Sequence, residues 1–511
     1  MRLVEPLTQD FTFYKLHSMP STSDARYTRR SVLRTSLFYP RTIAVIGASN
    51  DPLKLSGRPI DFLGRAGFDG IVLPVNATRT HVQGLQAYAS LADCPDGDID
   101  LAVIALPAEL VAGALRECAA RDISTAVVFA SGFAETAEGD DLQDELAGIC
   151  EQTGIRVLGP NSLGAICGTS AVAVTFTSAL DRNFVLSPGP VAVVTQSGAM
   201  ATYIYGAAEE AGVAIGYLAN TGNEVDITAP ELLEALLEHD DVTIGLTYLE
   251  GVNDPAALAS AGLTAHRLGK TIVALKAGRS AAGAAAAKLH TGSAPEDHAT
   301  YQSIAARIPM VQVTGLEEMT DVTQLLAANR RPVGNRLAVV SMSGGAGVMM
   351  TDDAHDHGIQ VIPWDHAWSD KISVQIPPFG SARNPIDMTA EFLKSPEILG
   401  RVLTVVDEHP ETDMIAVLLG NAERNSSQIV ETLATAYART SKPMLVVWTG
   451  GSGQPRQQLM TVGVPTFTDV ARAARALGHL HSHAAACREF SAADLNLADE
   501  LLEDAAPVYA R

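Results

Sequence analysis

One pattern recurs three times and constrains the fold more than any other feature of the chain. A β-branched apolar run enters a glycine turn, and a helical pattern follows. The copies are Thr42-Ile-Ala-Val-Ile-Gly-Ala-Ser49, Val191-Ala-Val-Val-Thr-Gln-Ser-Gly-Ala199 and Leu337-Ala-Val-Val-Ser-Met-Ser-Gly-Gly-Ala-Gly347. Each reads as the first strand of a parallel sheet running into its first helix. Three such openings predict an α/β protein of three doubly wound parallel-sheet domains. The length of 511 residues agrees with about three or four domains.

Further strand-like runs continue each unit. They are 70–75, 101–106, 125–130 and 156–158 in the first, 244–249 and 271–276 in the second, and 414–419 and 443–448 in the third. Proline- and glycine-rich linkers fall at Leu186-Ser-Pro-Gly-Pro190 and Asn329-Arg-Arg-Pro-Val-Gly334. The expected division is therefore 35–183, 187–328 and 334–480. Residues 1–34, polar and without an apolar core, read as a disordered or loosely docked leader, and 481–511 as a polar tail.

Composition excludes several function classes. A net charge of -22 argues against nucleic acid or an anionic membrane as partner. No apolar run approaches the ~18 residues of a spanning helix. Five scattered cysteines, none in CxxC spacing, suggest free thiols in a reducing compartment, the cytoplasm. Two histidine-bearing stretches, Asp352-Asp-Ala-His-Asp-His357 and His479-Leu-His-Ser-His483, read as solvated surface, so no metal site is expected.

The chemistry concentrates at the glycine turns and at one histidine. At the carboxyl edge of a parallel strand, exposed N–H groups and a helix start make an anion site. Gly47-Ala-Ser49 lacks the GxGxxG spacing, and the second strand ends in Val75-Asn76, without an acid for a ribose hydroxyl. A nucleotide with a phosphorylated adenosine end fits it better than a nicotinamide dinucleotide, so a dehydrogenase is poorly supported. Ser197, Gly198 and Ala199 open the second helix; Ser343, Gly344, Gly345 and Gly347 open the third. His290 lies in the small-residue run Lys276-Ala-Gly-Arg-Ser-Ala-Ala-Gly-Ala-Ala-Ala-Ala-Lys-Leu-His-Thr-Gly-Ser293, expected to be a mobile loop. Two positive helix ends could clamp a phosphoryl group carried on that imidazole.

These residues resemble the NDP-forming acyl-CoA synthetase family, which includes succinyl-CoA synthetase and the ADP-forming acetyl-CoA synthetases. The likeness runs in order from Pro40-Arg-Thr-Ile-Ala-Val-Ile-Gly-Ala-Ser49 through Leu158-Gly-Pro-Asn-Ser-Leu-Gly164, Thr195-Gln-Ser-Gly198, Gly222-Asn-Glu-Val-Asp226 and Tyr248-Leu-Glu-Gly251. It ends with Lys276-Ala-Gly-Arg-Ser280, His290-Thr-Gly292, Ser343-Gly-Gly-Ala-Gly347 and Asn384-Pro-Ile-Asp387. The resemblance implies a Rossmann-like coenzyme A-binding domain followed by two flavodoxin-like ligase domains. It implies His290 as the phosphohistidine, with Glu250 as the carboxylate that holds its imidazole. Ser197, Gly198 and Ala199, with Ser343, Gly344, Gly345 and Gly347, would face phosphate. Gly47, Ala48, Ser49 and Asn76 would lie toward coenzyme A phosphates, and Pro160 and Asn161 near its pantetheine end. Asn384 and Asp387 would stand on the substrate side.

The family usually has serine before this histidine and a GALAG-like run after it; here Leu289 precedes it and Ser293-Ala-Pro-Glu-Asp297 follows. His298 is the weaker competing nucleophile. After residue 480 about thirty residues remain, too few for an ATP-grasp domain, and no GxxxxGK[ST] occurs. The resemblance thus implies a hetero-oligomer with a separate ATP-grasp beta-type subunit that supplies ATP or GTP with Mg²⁺, acting on a small carboxylic acid or its acyl-CoA. The rival from a different class is a non-catalytic coenzyme A sensor or scaffold.

Overall fold

The computed structural model describes residues 22–136, 138–181, 184–291 and 297–490, the side chains at 22–29, 288–291 and 297 excepted. Three sheets carry the chain. The first is wholly parallel, ordered Ile71–Val75, Thr42–Ile46, Leu101–Ile104, Thr125–Val128, Arg156–Leu158. The third is likewise parallel: Ile386–Asp387, Leu337–Ser341, Met414–Gly420, Met444–Thr449, Thr466–Phe467. In the second, the parallel strands run Val311–Val313, Thr271–Lys276, Ile244–Leu249, Val191–Thr195, Ile215–Asn220. All three share one order, in which the opening strand lies between the second and third strands of its own unit. The opening strands are apolar through their middles because helices cover both faces; Ala44, Val193 and Val339 are completely buried. The shared order also puts each glycine turn at the point where the winding reverses, where ligands of such sheets bind.

Three features depart from the expected division. The hairpin Gly164–Cys167 and Val172–Thr175, assigned from sequence to the first unit, adds antiparallel to Ile215–Asn220 and extends the second sheet to seven strands. Residues 22–34 are not a disordered leader. A helix spans Thr22–Phe38 and buries Leu33, Leu37 and Phe38 completely, so a short i, i+4 stripe was enough to dock it. Arg30 pairs with Glu234 at 3.2 Å and Glu238 at 2.8 Å, and the Tyr39 and Tyr217 hydroxyls meet at 2.5 Å. At the other end the helix Val470–Glu489 runs through the expected boundary at 480. His483 on it is buried and His479 bonds Glu318 at 2.6 Å, so this stretch is not free surface. Residues 1–21 and 491–511 lie outside the described residues.

Two charged seams join the sheets. Arg156, 5% exposed, reaches from the first sheet to Asp226 at 2.7 Å and Glu231 at 2.8 Å. Arg472 grips Asp321 through two bonds of 3.0 and 2.7 Å, tying the helix Val470–Glu489 to the helix Leu316–Ala327. Removing one partner of such a buried pair costs roughly 3–5 kcal/mol, because the other charge is left uncompensated. Among the described residues no helix is long and apolar enough to cross a membrane.

Glu318 makes the second seam sensitive to acid. Burial alone pushes its carboxyl up, but hydrogen bonds from His479 and from the Thr314 hydroxyl and amide, each 2.6–2.7 Å, outweigh burial and hold it at about 2, against an ordinary 4.5. A depressed carboxyl contributes stability that is complete above its unfolded value and is lost as pH falls through the folded one. Glu318→Gln should therefore flatten the loss of unfolding free energy between about pH 4.5 and about pH 2. Urea melts at stepped pH would show the wild-type slope the steeper of the two.

Candidate active site

The second and third glycine turns are built alike. Ser197 and Ser343 have extended backbone and cap the helices Gly198–Glu210 and Gly344–Asp356, accepting the amides of Met200 and Ala346 at 3.5 Å. One hydroxyl at each strand end holds the turn: Thr195 donates to the Ser197 carbonyl at 2.9 Å and Ser341 to that of Ser343 at 2.8 Å. The amides of Gly198, Ala199, Gly344 and Gly345 have no hydrogen-bond partner among the described residues. These are the orphan donors at a helix's positive end, suited to an anion.

The first turn is different, and its expected anion-facing amides are not free. Gly47 and Ala48 donate to the Val75 carbonyl at 3.0 and 3.2 Å, and Ser49 to that of Ser56 at 3.1 Å. The next helix opens only at Arg58, so the intervening loop must satisfy its own amides. Gly47 has φ +84°, and a Cβ there would lie 2.6 Å from the Ala105 carbonyl oxygen. Asn76 holds the turn itself, donating to Ala48 at 2.9 Å and accepting the amides of Thr78 and Arg79 at 3.0 Å.

A cavity of about 730 Å³ opens where the first and second sheets meet. It brings together Asn161, Ser197, Gly198, Ala199 and Glu250 of the expected residues. Glu250 follows the strand Ile244–Leu249; its amide and that of Gly251 donate to the Gln196 Oε1 at 2.6 and 3.0 Å. Lys276 donates to the Glu250 carbonyl at 2.8 Å. Burial, then the charge and hydrogen bond of the Glu250 carboxylate, push the Tyr248 hydroxyl up to about 12, so it remains a donor to that carboxylate.

The other expected residues lie elsewhere. Ser343, Gly344, Gly345 and Gly347 are at the edge of the third sheet, beside the segment Asn384–Asp387: a Cβ on Gly344 would lie 3.2 Å from Asp387 Oδ2, and one on Gly347 3.1 Å from Pro385. None of them lines the cavity. Asn384 is not a free ligand. It is 2% exposed, accepts the Val339 amide at 2.9 Å and donates to the carbonyls of Leu337 and Ile362 at 2.8 and 3.1 Å, strapping the opening strand in place. The run around His290 is a helix, Ala281–Thr291, not the expected loop, because alanine is the strongest helix former. The His290 side chain and residues 292–296 lie outside the described residues.

The sequence assigned no role to Glu135, Gln196 or Asn223, which line the cavity, or to Glu224, which stands behind Gln196. The 159–161 turn and the 221–226 turn interlock. Asn223 donates from its backbone to the Pro160 carbonyl at 3.0 Å and from its side chain to Gln143 at 3.0 Å and to Glu135. Burial pushes the Glu135 carboxyl up, but hydrogen bonds from Asn223 and from the amides of Gly132 and Phe133 outweigh it and hold the group below its ordinary value. The sequence signal for Asn223 and Glu224 was the polar cluster Gly222-Asn-Glu-Val-Asp226 directly after a strand, and that for Gln196 its place in Thr195-Gln-Ser-Gly198; Glu135 had none.

Family models match three stretches: a CoA binding domain over 41–168, a succinyl-CoA ligase like flavodoxin domain over 188–326 and a Ligase-CoA domain over 337–419. The alpha subunit of an ADP-forming acetate–CoA ligase I from Pyrococcus furiosus is 30% identical over 459 residues, covering 87% of this chain and 96% of that one. The chain belongs to the NDP-forming acyl-CoA synthetase family. The solved dinucleotide-forming acetyl-coenzyme A synthetase 1 of Candidatus Korarchaeum cryptofilum, in complex with phosphate and ADP, superposes on this chain with a TM-score of 0.82 at 30% identity, covering 89% of it and 98% of the solved chain. The ADP-forming acetate–CoA ligase I of Archaeoglobus fulgidus is also 30% identical, and the chain spans 63% of its length.

Gly222 is the tightest point of the interlock. Its φ is +58°, and a Cβ would meet the Pro160 oxygen at 2.2 Å and the Asn161 oxygen at 2.6 Å. Gly222→Ala should lower stability by about 2–5 kcal/mol, from left-handed strain plus the clash. Gly67→Ala, with φ +76° and nothing within 4 Å, should lose only about 1 kcal/mol. Chemical denaturation of the two variants checks the difference.

Proposed function

We propose that this alpha-type chain joins a small carboxylic acid to coenzyme A through an acyl phosphate, with the phosphoryl group carried on His290. A separate ATP-grasp beta-type subunit brings ATP or GTP with Mg²⁺. The observation that carries the reading is the cavity in which the unbonded amides of Gly198 and Ala199, the Glu250 carboxylate and Asn161 converge at the seam of two sheets.

In the thioester-forming direction, a His290 nitrogen attacks the γ-phosphorus of the nucleotide; an N–P bond forms and the nucleoside diphosphate leaves. The acid's carboxylate oxygen then takes the phosphoryl group, breaking that N–P bond and giving the acyl phosphate. The coenzyme A thiolate attacks the acyl carbon, and inorganic phosphate leaves with the electron pair of the C–O bond. Every step is reversible. The helix start at Ser197 faces the group that is anionic throughout, and its donors need no rearrangement as charge moves. Glu250 would fix the imidazole tautomer and balance the imidazolium. The chain would work in the cytoplasm, in keeping with its free cysteines.

Replacing His290 by Ala or Asn should abolish acyl-CoA formation while coenzyme A affinity stays within about twofold, because the two functions are separable. Turnover by the Ala variant at the wild-type rate rejects the reading. With the partner and labelled ATP, the wild-type chain should take up an acid-labile, base-stable label. Glu250→Gln should slow that labelling by about a hundredfold, within the span of a lost general-base partner, and leave the melting curve in place.

A further inference from the structure

We propose that Glu224 is a positioning residue that sets Glu250 through the side chain of Gln196. This rests on the role given to Glu250 above, but the geometry stands on its own. Glu224 does not line the cavity. It sits in the left-handed region, φ +59°, a conformation that costs a non-glycine residue and persists only where surroundings hold it. Its carboxylate accepts four bonds. Oε1 takes the Thr221 hydroxyl at 2.9 Å and the Ala229 amide at 2.8 Å. Oε2 takes the Gln196 amide nitrogen at 3.0 Å and the Asn253 amide nitrogen at 2.7 Å.

The consequence lies in the polarity of Gln196. A carboxylate can only accept, so Glu224 fixes which end of the Gln196 carboxamide carries nitrogen. The oxygen must then face the other way, toward the amides of Glu250 and Gly251, which it accepts at 2.6 and 3.0 Å. Those amides begin the turn that aims the Glu250 carboxylate. In Glu224→Gln the Thr221 hydroxyl and the Ala229 amide claim the single oxygen, so a nitrogen faces the Gln196 nitrogen; on that side only the Gly251 carbonyl, 3.3 Å from that nitrogen, then favours the original orientation, and Gln196 can turn over. Its nitrogen would then meet two N–H groups, and the turn would have to move to relieve them. A misplacement on the order of 1 Å at a reacting group costs about a hundredfold in rate. The relay therefore predicts a loss in phosphoryl transfer and not in coenzyme A capture.

Two readouts on the full chain test it. The first is amide hydrogen exchange at Glu250 and Gly251, which needs no partner and no substrate. The second is kcat and KM for coenzyme A, measured with the beta-type partner. Glu224→Gln should speed exchange at those two amides about tenfold, and should lower kcat at least tenfold with KM for coenzyme A within about twofold. Gln196→Glu, which sets two carboxylates against each other, should do the same. The double variant Glu224→Gln with Gln196→Glu restores a donor facing an acceptor and should recover slow exchange and most of kcat. Unchanged exchange in Glu224→Gln overturns the proposal, as does unchanged kcat. A fall in kcat matched by an equal loss of coenzyme A affinity also overturns it. Should Glu224→Gln not fold, the double variant decides: slow exchange and turnover support the relay, and their absence overturns it. A wild-type chain that takes no label from ATP rejects the proposed function instead, and leaves the exchange result readable.

Discussion

The approach of the 159–161 backbone to Gly222 is the contact on which the site depends. Two carbonyl oxygens occupy the space where any side chain at 222 would begin. That closeness lets Asn223 bond at once to Pro160, Gln143 and Glu135, across the seam between the first and second sheets. Arg156 holds the same seam from below through Asp226 and Glu231. With the seam closed, the helix start at Ser197 and the strand end at Glu250 share one cavity with the 131–135 and 161–163 turns. With it open, each sheet would have only its own turn.

The chemistry of the cavity follows from which donors the fold leaves unbonded. A helix that begins directly after its strand presents amides that have no carbonyl to reach, as at Gly198 and Ala199. The first turn has the same apolar strand and glycine, but its helix begins later, and the loop between them takes up the amides internally. Glycine turns of similar appearance thus differ in what they offer an anion. Neutral amide side chains then fill the space between the acids. Gln196 serves two loops at once because one end of it accepts and the other donates.

Much of the fold was legible because the parallel strands are mainly apolar and the turns after the opening strands are glycine-rich. The opening strands of all three sheets stand where their sequence placed them. The errors have physical causes. The hairpin 164–175 changes sheet because pairing depends on a distant strand, Ile215–Asn220, and not on its own neighbours. Residues 30–38 carry few apolar side chains, yet Leu33, Leu37 and Phe38 are completely buried while Val32 stays exposed. Asn384 and Asn76 were expected at the site from the family resemblance; both bond to the backbone.

By itself the sequence determined what is local: three strands that must be covered on both faces, three turns that only glycine and small polar residues allow, and one histidine in a run of alanines. These follow from backbone sterics and burial, which act between neighbours along the chain. The tertiary structure decided which turns meet. It paired Ser197 with Glu250 and Asn161, put Ser343 at another edge, and gave Glu224 and Asn223 their partners. Such pairings depend on contacts between residues tens of positions apart, and nothing in the residue types records them.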